Sequence, residues 1–200
     1  ALREDTVLLE SKNANDLAGN LFQILKELTS EEYKNLKVFL AVRKKSEKKV
    51  RRLTEAYHIR GYRMVRYASP KYYRLLATAK YLVEDTSFTD KFIKREGQIY
   101  LNTWHGTPWK MMGKDEELGA YAIGNVQKNL LYADYLLYPN EYMKNIMFKA
   151  YMLEDLYKGT VVDEGYPRTS IFFHTEHYQN MREKLGLTDK QANGYMPTWR

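Results

Sequence analysis

Short apolar runs alternate with amphipathic stretches along this 200-residue chain. Thr6–Glu10 (TVLLE) predicts a first strand, and the polar loop SKNANDLAGN follows it. Leu17, Leu21, Ile24, Leu25 and Leu28 then recur at helical spacing. Lys37–Val42 predicts a second strand, followed by a helix from Arg43 to Tyr57 with Val50, Leu53 and Tyr57 as its apolar edge. Tyr62–Tyr67 suits a third strand, and Pro70 the first turn of a helix ending near Ala79. Tyr81–Val83 predicts a fourth strand. Asp85, Thr86 and Ser87 are then capping residues, and Phe88, Phe92 and Ile93 face inward.

Tyr100–Trp104 predicts a fifth strand, with Thr107 able to cap and Pro108 placed where a helix or tight turn begins. Later elements are a helix over Val126–Ala133, a strand over Tyr135–Tyr138 and a helix marked by Met143, Ile146, Met147 and Ala150. A strand over Thr160–Asp163, a helix over Tyr178–Leu185 and a strand from Gly194 complete the pattern. Strands and helices alternating at this spacing imply an α/β fold: a Rossmann-like, doubly wound, mostly parallel sheet. In such sheets ligands bind beyond the carboxyl ends of the strands. His105, at the end of the fifth strand, is therefore a candidate for chemistry, with an ordinary polar turn as the alternative.

Composition narrows this picture. Hydrophobic residues make up 44% of the chain, enough for a sizeable core. With no cysteine, disulfides and thiolate metal sites are excluded, which fits a reducing cytoplasm. The longest apolar run, Val38–Val42, is far short of the ~20 residues of a membrane span. A formal charge of +7 points to anionic partners. Arg43–Arg52 alone carries seven basic residues against Glu47, either a solvated face or a contact for anionic lipid or a polyphosphate chain. The loop after the first strand, with Ser11 and Asn20, is either an anion cradle or an ordinary βα turn. Met111, Met112, Met143, Met147 and Met152, beside many tyrosines, are read as core filling, with an exposed Met/Tyr/Lys surface that dips into a membrane interface as the alternative. His174 and His177 lie three residues apart, but no HExxH pattern or carboxylate cluster accompanies them, so no metal site is assigned.

Four stretches carry a resemblance: WHGTPWK (Trp104–Lys110), YPNEYMKNIM (Tyr138–Met147), EGYPR (Glu164–Arg168) and YMPTWR (Tyr195–Arg200). In content, order and spacing they resemble the CDP-glycerol glycerophosphotransferase family of teichoic acid polymerases and primases. ESKNANDLAGN and KYLVEDTSFTDKF match it more loosely. The family is built as two Rossmann-like domains across a cleft, as in B-type glycosyltransferases. The resemblance implies that residues 1–192 form the N-terminal, acceptor-side domain and that 193–200 open the C-terminal, nucleotide-binding one. The family's second histidine and its later Ser/Asp motifs belong to that domain and are not in this sequence. Where the family often has Asn-Asp after GYPR, this chain has Thr169-Ser170.

The activity implied is transfer of glycerol phosphate, or ribitol phosphate, from a CDP-alditol to a hydroxyl of a lipid-linked or polymer acceptor, with release of CMP. CDP-glycerol or CDP-ribitol is then the donor substrate, and no covalent cofactor is implied. His105 is the implied general base, with Gly106, Thr107, Lys110, Arg168, Thr198 and Arg200 as substrate contacts and Ser11 and Asn20 as an acceptor loop. An anionic membrane surface is the further partner, placing the protein peripherally on the cytoplasmic face of the membrane. A non-catalytic domain that docks on membrane or polymer is the alternative. A nucleic-acid-binding domain has no RRM, KH or helix-turn-helix signature to support it.

Overall fold

The computed structural model describes residues 1–117, 119–173 and 175–195. Seven strands form one sheet: β1 (Arg3–Glu10), β2 (Lys37–Val42), β3 (Tyr62–Arg66), β4 (Ala79–Glu84), β5 (Ile99–Asn102), β6 (Tyr135–Leu137) and β7 (Thr160–Val162). Their spatial order is β3-β2-β1-β4-β5-β6-β7, and every neighbouring pair is parallel. The helices are α1 (Gly19–Leu28), α2 (Glu47–Ala56), α3 (Pro70–Thr78), α4 (Gly124–Tyr132), α5 (Glu141–Ala150) and α6 (Thr175–Lys184). The chain forms two compact units, Ala1–Arg168 and Thr169–Arg200. The sheet, α1–α5 and the residues discussed below belong to the first.

Strand periodicity sorts the core into two layers. Val7, Leu9, Val38, Leu40 and Val42 pack with Leu21 and Leu25 of α1 and Val50 of α2. Leu8, Phe39, Ala41, Leu82, Tyr100 and Leu136 pack on the opposite face, with Tyr72 and Leu75 of α3, Leu130 of α4, and Met143 and Met147 of α5. The sheet is thus doubly wound, as the alternation of elements implies. Its strand order reverses between β1 and β4, and the open crevice of such a fold lies above that seam.

Several sequence expectations shift. The fifth strand stops at Asn102, because Trp104 takes a left-handed backbone (φ 48°) that a strand cannot contain. No helix or regular turn starts at Pro108, which is buried, while the Thr107 hydroxyl lies 4.0 Å from the Met143 sulfur instead of capping a helix. Phe88 and Phe92 are buried and stack edge-on with each other, whereas Ile93 is exposed. The segment between β4 and β5 has no helix to turn Ile93 inward. Of the methionines, Met143 and Met147 fill the core, but Met111 and Met152 are exposed. Gly194 and Tyr195 are not in a strand, and residues 196–200 lie outside the described residues, as does His174.

Parallel register aligns the carboxyl ends of the central strands and places three polar residues side by side: Glu10 opposite Glu84, and Glu84 opposite Asn102. All three are fully buried on the face that α3 and α4 cover. Tyr72 donates its hydroxyl to Glu10 at 2.6 Å, leaving the other Glu10 oxygen without a partner among the described residues. Burial pushes the Glu10 carboxyl up to about 7, against which the Tyr72 hydrogen bond and the Arg43 charge pull only part of the way. Glu84 and Asp85 are also raised, again chiefly by burial.

A carboxyl raised in the fold holds its proton more tightly there than in the unfolded chain. Its contribution is complete below the unfolded value of 4.5 and is lost as pH rises through about 7. Urea unfolding should therefore show the chain losing stability between pH 5 and pH 8. Glu10→Gln, neutral throughout, should flatten that dependence. On the same face, Leu8→Ala opens a cavity under the central strand and should cost ~2–5 kcal/mol in the same assay.

Candidate active site

Three loops leave the carboxyl ends of the central strands and converge. After β1, Ser11 is buried and donates its hydroxyl to Asp85 Oδ2 at 2.9 Å, while the Lys12 N–H donates to Asp85 Oδ1 at 2.7 Å. Lys12, Asn13 and Ala14 all have positive φ, so this loop makes a tight left-handed bend around the Asp85 carboxylate. Asp85, read from the sequence as a cap, instead pins the β1 loop to the β4 loop across the seam where the winding reverses. Thr86 adds a hydroxyl bond to Asn13 Oδ1 at 3.2 Å.

The third loop carries His105. Its backbone is held at three points: the Trp104 N–H donates to Asn102 Oδ1 at 2.9 Å, Asn20 Nδ2 donates to the Trp104 carbonyl at 3.3 Å, and Arg168 Nη1 donates to the His105 carbonyl at 2.9 Å. A left-handed conformation at a bulky residue costs of order 1–3 kcal/mol and persists only where its surroundings over-determine it. These bonds do so for Trp104. Gly106 follows at φ 157°, a backbone that side-chain-bearing residues rarely adopt.

The imidazole itself is exposed at the loop tip. Its Nδ1 lies 2.7 Å from the backbone carbonyl of Asp85. A carbonyl only accepts, so Nδ1 carries the proton and, in the neutral ring, Nε2 keeps its lone pair. The indole of Trp104 stacks on the ring, with centroids 4.6 Å apart and planes 25° apart. One face and one nitrogen are thereby fixed, leaving Nε2 as the free basic atom.

Arg168 stands beside this histidine. Its N–H donates to Asn20 Oδ1 at 3.3 Å, its guanidinium lies 4.7 Å over the Tyr166 ring, and it forms no ion pair with Glu164. The GYPR turn and the His105 loop are thus joined through Asn20 and Arg168. Of the residues singled out by sequence, the structure brings together His105, Gly106, Arg168 and Asn20, with Ser11 one loop away behind Asp85. Ser11 and Asn20 are both buried, their polar atoms bonded to neighbouring loops. Lys110 is exposed, with no ion pair among the described residues. Thr198 and Arg200 lie outside the described residues. Among those described, no group of three or more His, Cys, Asp or Glu side chains is placed to hold a metal ion. Asp85, Asn102 and Glu84 were not recognised as site residues from the sequence. The available signal was a carboxylate closing two otherwise apolar strands, TVLLE and YLVE.

A family model for CDP-Glycerol:Poly(glycerophosphate) glycerophosphotransferase matches residues 1–200. A teichoic acid poly(glycerol phosphate) polymerase of Bacillus spizizenii is 33% identical over 144 residues, covering 66% of this chain and 35% of that protein. A teichoic acid glycerol-phosphate transferase of Staphylococcus aureus is 31% identical over 145 residues, covering 66% of this chain and 36% of that protein. The chain therefore spans little more than a third of these relatives. Among solved structures, the wall teichoic acid polymerase TagF, as a histidine-to-asparagine variant with CDPG, superposes with a TM-score of 0.79 at 24% identity, covering all of this chain and 49% of that one. The parallel sheet, the loops gathered at its central seam and the match over the whole sequence place this chain in the CDP-glycerol:poly(glycerophosphate) glycerophosphotransferase family.

Proposed function

We propose that this chain supplies the general base and one phosphate contact for transfer of glycerol phosphate from CDP-glycerol to an acceptor hydroxyl in teichoic acid synthesis. The bond between His105 Nδ1 and the Asp85 carbonyl carries the reading, because it leaves Nε2 unprotonated and exposed at the carboxyl edge of the sheet. An acceptor hydroxyl gives its proton to Nε2 as its oxygen attacks the glycerol-bearing phosphorus of the donor. The new P–O bond makes the phosphodiester, and the P–O bond to CMP breaks. Arg168, beside the same loop, offers its remaining N–H groups to a phosphate oxygen. Family membership and the CDPG-soaked TagF structure support CDP-glycerol as donor. Ribitol phosphate remains the alternative cargo. On this reading residues 1–192 are the acceptor-side half of a two-domain enzyme.

The acceptor side has a physical counterpart in the basic segment after β2. Lys49 pairs with Asp16 and Arg51 with Glu47, but Lys44, Lys45, Lys48 and Arg52 are exposed without an ion pair among the described residues. Lys44 and Lys45 directly follow the carboxyl end of β2, on the same edge of the sheet as His105. This charge suits a polyanionic acceptor or an anionic membrane surface, which supports the reading of a peripheral membrane location. No described helix is long and apolar enough to cross a membrane.

In the intact polypeptide that carries this chain, His105→Ala should lower CMP release from CDP-glycerol with a lipid-linked acceptor by ~10²–10⁴-fold. Unchanged turnover would sink the assignment of the base. Flotation with anionic and neutral liposomes tests the membrane contact, which fails if binding ignores lipid charge.

A further inference from the structure

Nothing in the chemistry above uses Glu84, a fully buried carboxylate one residue before Asp85. We propose that Glu84 is a positioning residue for His105, acting through the single peptide group between Asp85 and Thr86; the proposal builds on the reading of His105 as base.

The carbonyl of Asp85 and the N–H of Thr86 belong to the same peptide unit, which is trans, so the two point in opposite directions. Glu84 Oε2 accepts the Thr86 N–H at 2.9 Å at one edge of that plane. His105 Nδ1 donates to the Asp85 oxygen at 2.7 Å at the other. Fixing the N–H therefore fixes the direction of the oxygen. The result is a carboxylate–histidine pair with an amide spliced between its members. Hydrogen bonds in series polarise one another, so a carboxylate pulling on the N–H also makes the carbonyl a better acceptor for the imidazole.

The same carboxylate holds the other arm of the site. Glu84 Oε1 accepts from Asn102 Nδ2 at 2.7 Å and from the Tyr100 hydroxyl at 2.7 Å. Asn102 Nδ2 also reaches the Thr86 carbonyl at 3.1 Å, and Asn102 Oδ1 takes the Trp104 N–H that sets the left-handed turn before His105. The Thr86 hydroxyl adds a fourth bond, to Glu84 Oε2 at 3.2 Å. One side chain thus anchors both the loop that carries the imidazole and the peptide that orients it. Both anchors are N–H donors, and each is accepted by a different oxygen of the Glu84 carboxyl. An amide in its place must turn its NH₂ toward either the Thr86 N–H or the Asn102 NH₂.

Glu84→Gln is the test, read in two ways. By ¹⁵N-histidine NMR of the 200-residue chain, neutral wild-type His105 should show a protonated Nδ1 and an unprotonated Nε2, and the variant a mixture of tautomers. In the intact polypeptide, the variant's kcat for CMP release should fall ~10–100-fold with KM within about twofold, as expected for loss of an orienting partner. Thr86→Pro, at a half-buried position, removes the N–H and the hydroxyl that Glu84 Oε2 accepts while leaving Glu84 itself in place, and should reproduce both effects if Glu84→Gln does not fold. A folded variant that keeps the wild-type tautomer and kcat overturns the proposal. The two readings fail separately. If His105→Ala leaves turnover intact, the base assignment falls while the tautomer measurement still decides what Glu84 does.

Discussion

The seam between β1 and β4 is the constraint on which the site depends. The sheet reverses its strand order there, so the chain leaves β1 toward the β3 edge and leaves β4 toward the β7 edge. In-register pairing of Glu10 with Glu84 then sets the ends of the two strands level, and the loops after them meet instead of diverging. Asp85 closes the gap by accepting both the Ser11 hydroxyl and the Lys12 N–H. A single-residue slip would turn Glu10 and Glu84 to the apolar face that α1 and α2 cover. The polar row thus enforces its own register.

Burying that row is costly, and the surroundings show how the cost is met. Glu84 has four donors and is almost completely satisfied, whereas Glu10 has Tyr72 on one oxygen and no partner on the other among the described residues. Two carboxyls side by side in a low-dielectric layer cannot both be readily ionised. Burial raises both, Glu10 to about 7 and Glu84 well above its ordinary value despite its four donors. The row forms a buried polar floor beneath the His105 and Asp85 loops.

Most elements were legible in the sequence because apolar periodicity is a local signal. TVLLE, KVFLAV and the Leu17–Leu28 spacing specify strand, strand and helix without reference to anything distant. WHGTP was likewise legible as a motif, and the structure puts His105 at the predicted strand edge. The partners of that histidine were not legible. Asp85 lies 20 residues before it and acts through a backbone carbonyl, which any residue type supplies. The left-handed Trp104 could not be anticipated either, since its bonds to Asn102, Asn20 and the adjoining loops exist only once the sheet is assembled. Ile93 failed for the opposite reason. Its apolar character suggested burial, but the segment around it forms no helix.

The orientation of His105 is therefore a property of the sheet rather than of its own loop. A surface imidazole on a Gly-Thr-Pro turn would ordinarily sample both tautomers and several rotamers. Here the ring is stacked by Trp104, its backbone carbonyl is held by Arg168, and its Nδ1 is bonded to a peptide that Glu84 fixes from behind. Each of these holds comes from a different element: the loop itself, the turn after β7, and the end of β4. On the proposed reading, a base presented this way needs little reorganisation when a hydroxyl arrives, which is where pre-set geometry lowers a barrier. Nε2 is the ring nitrogen left without a partner among the described residues, and on the proposed reading it is the atom that a substrate meets.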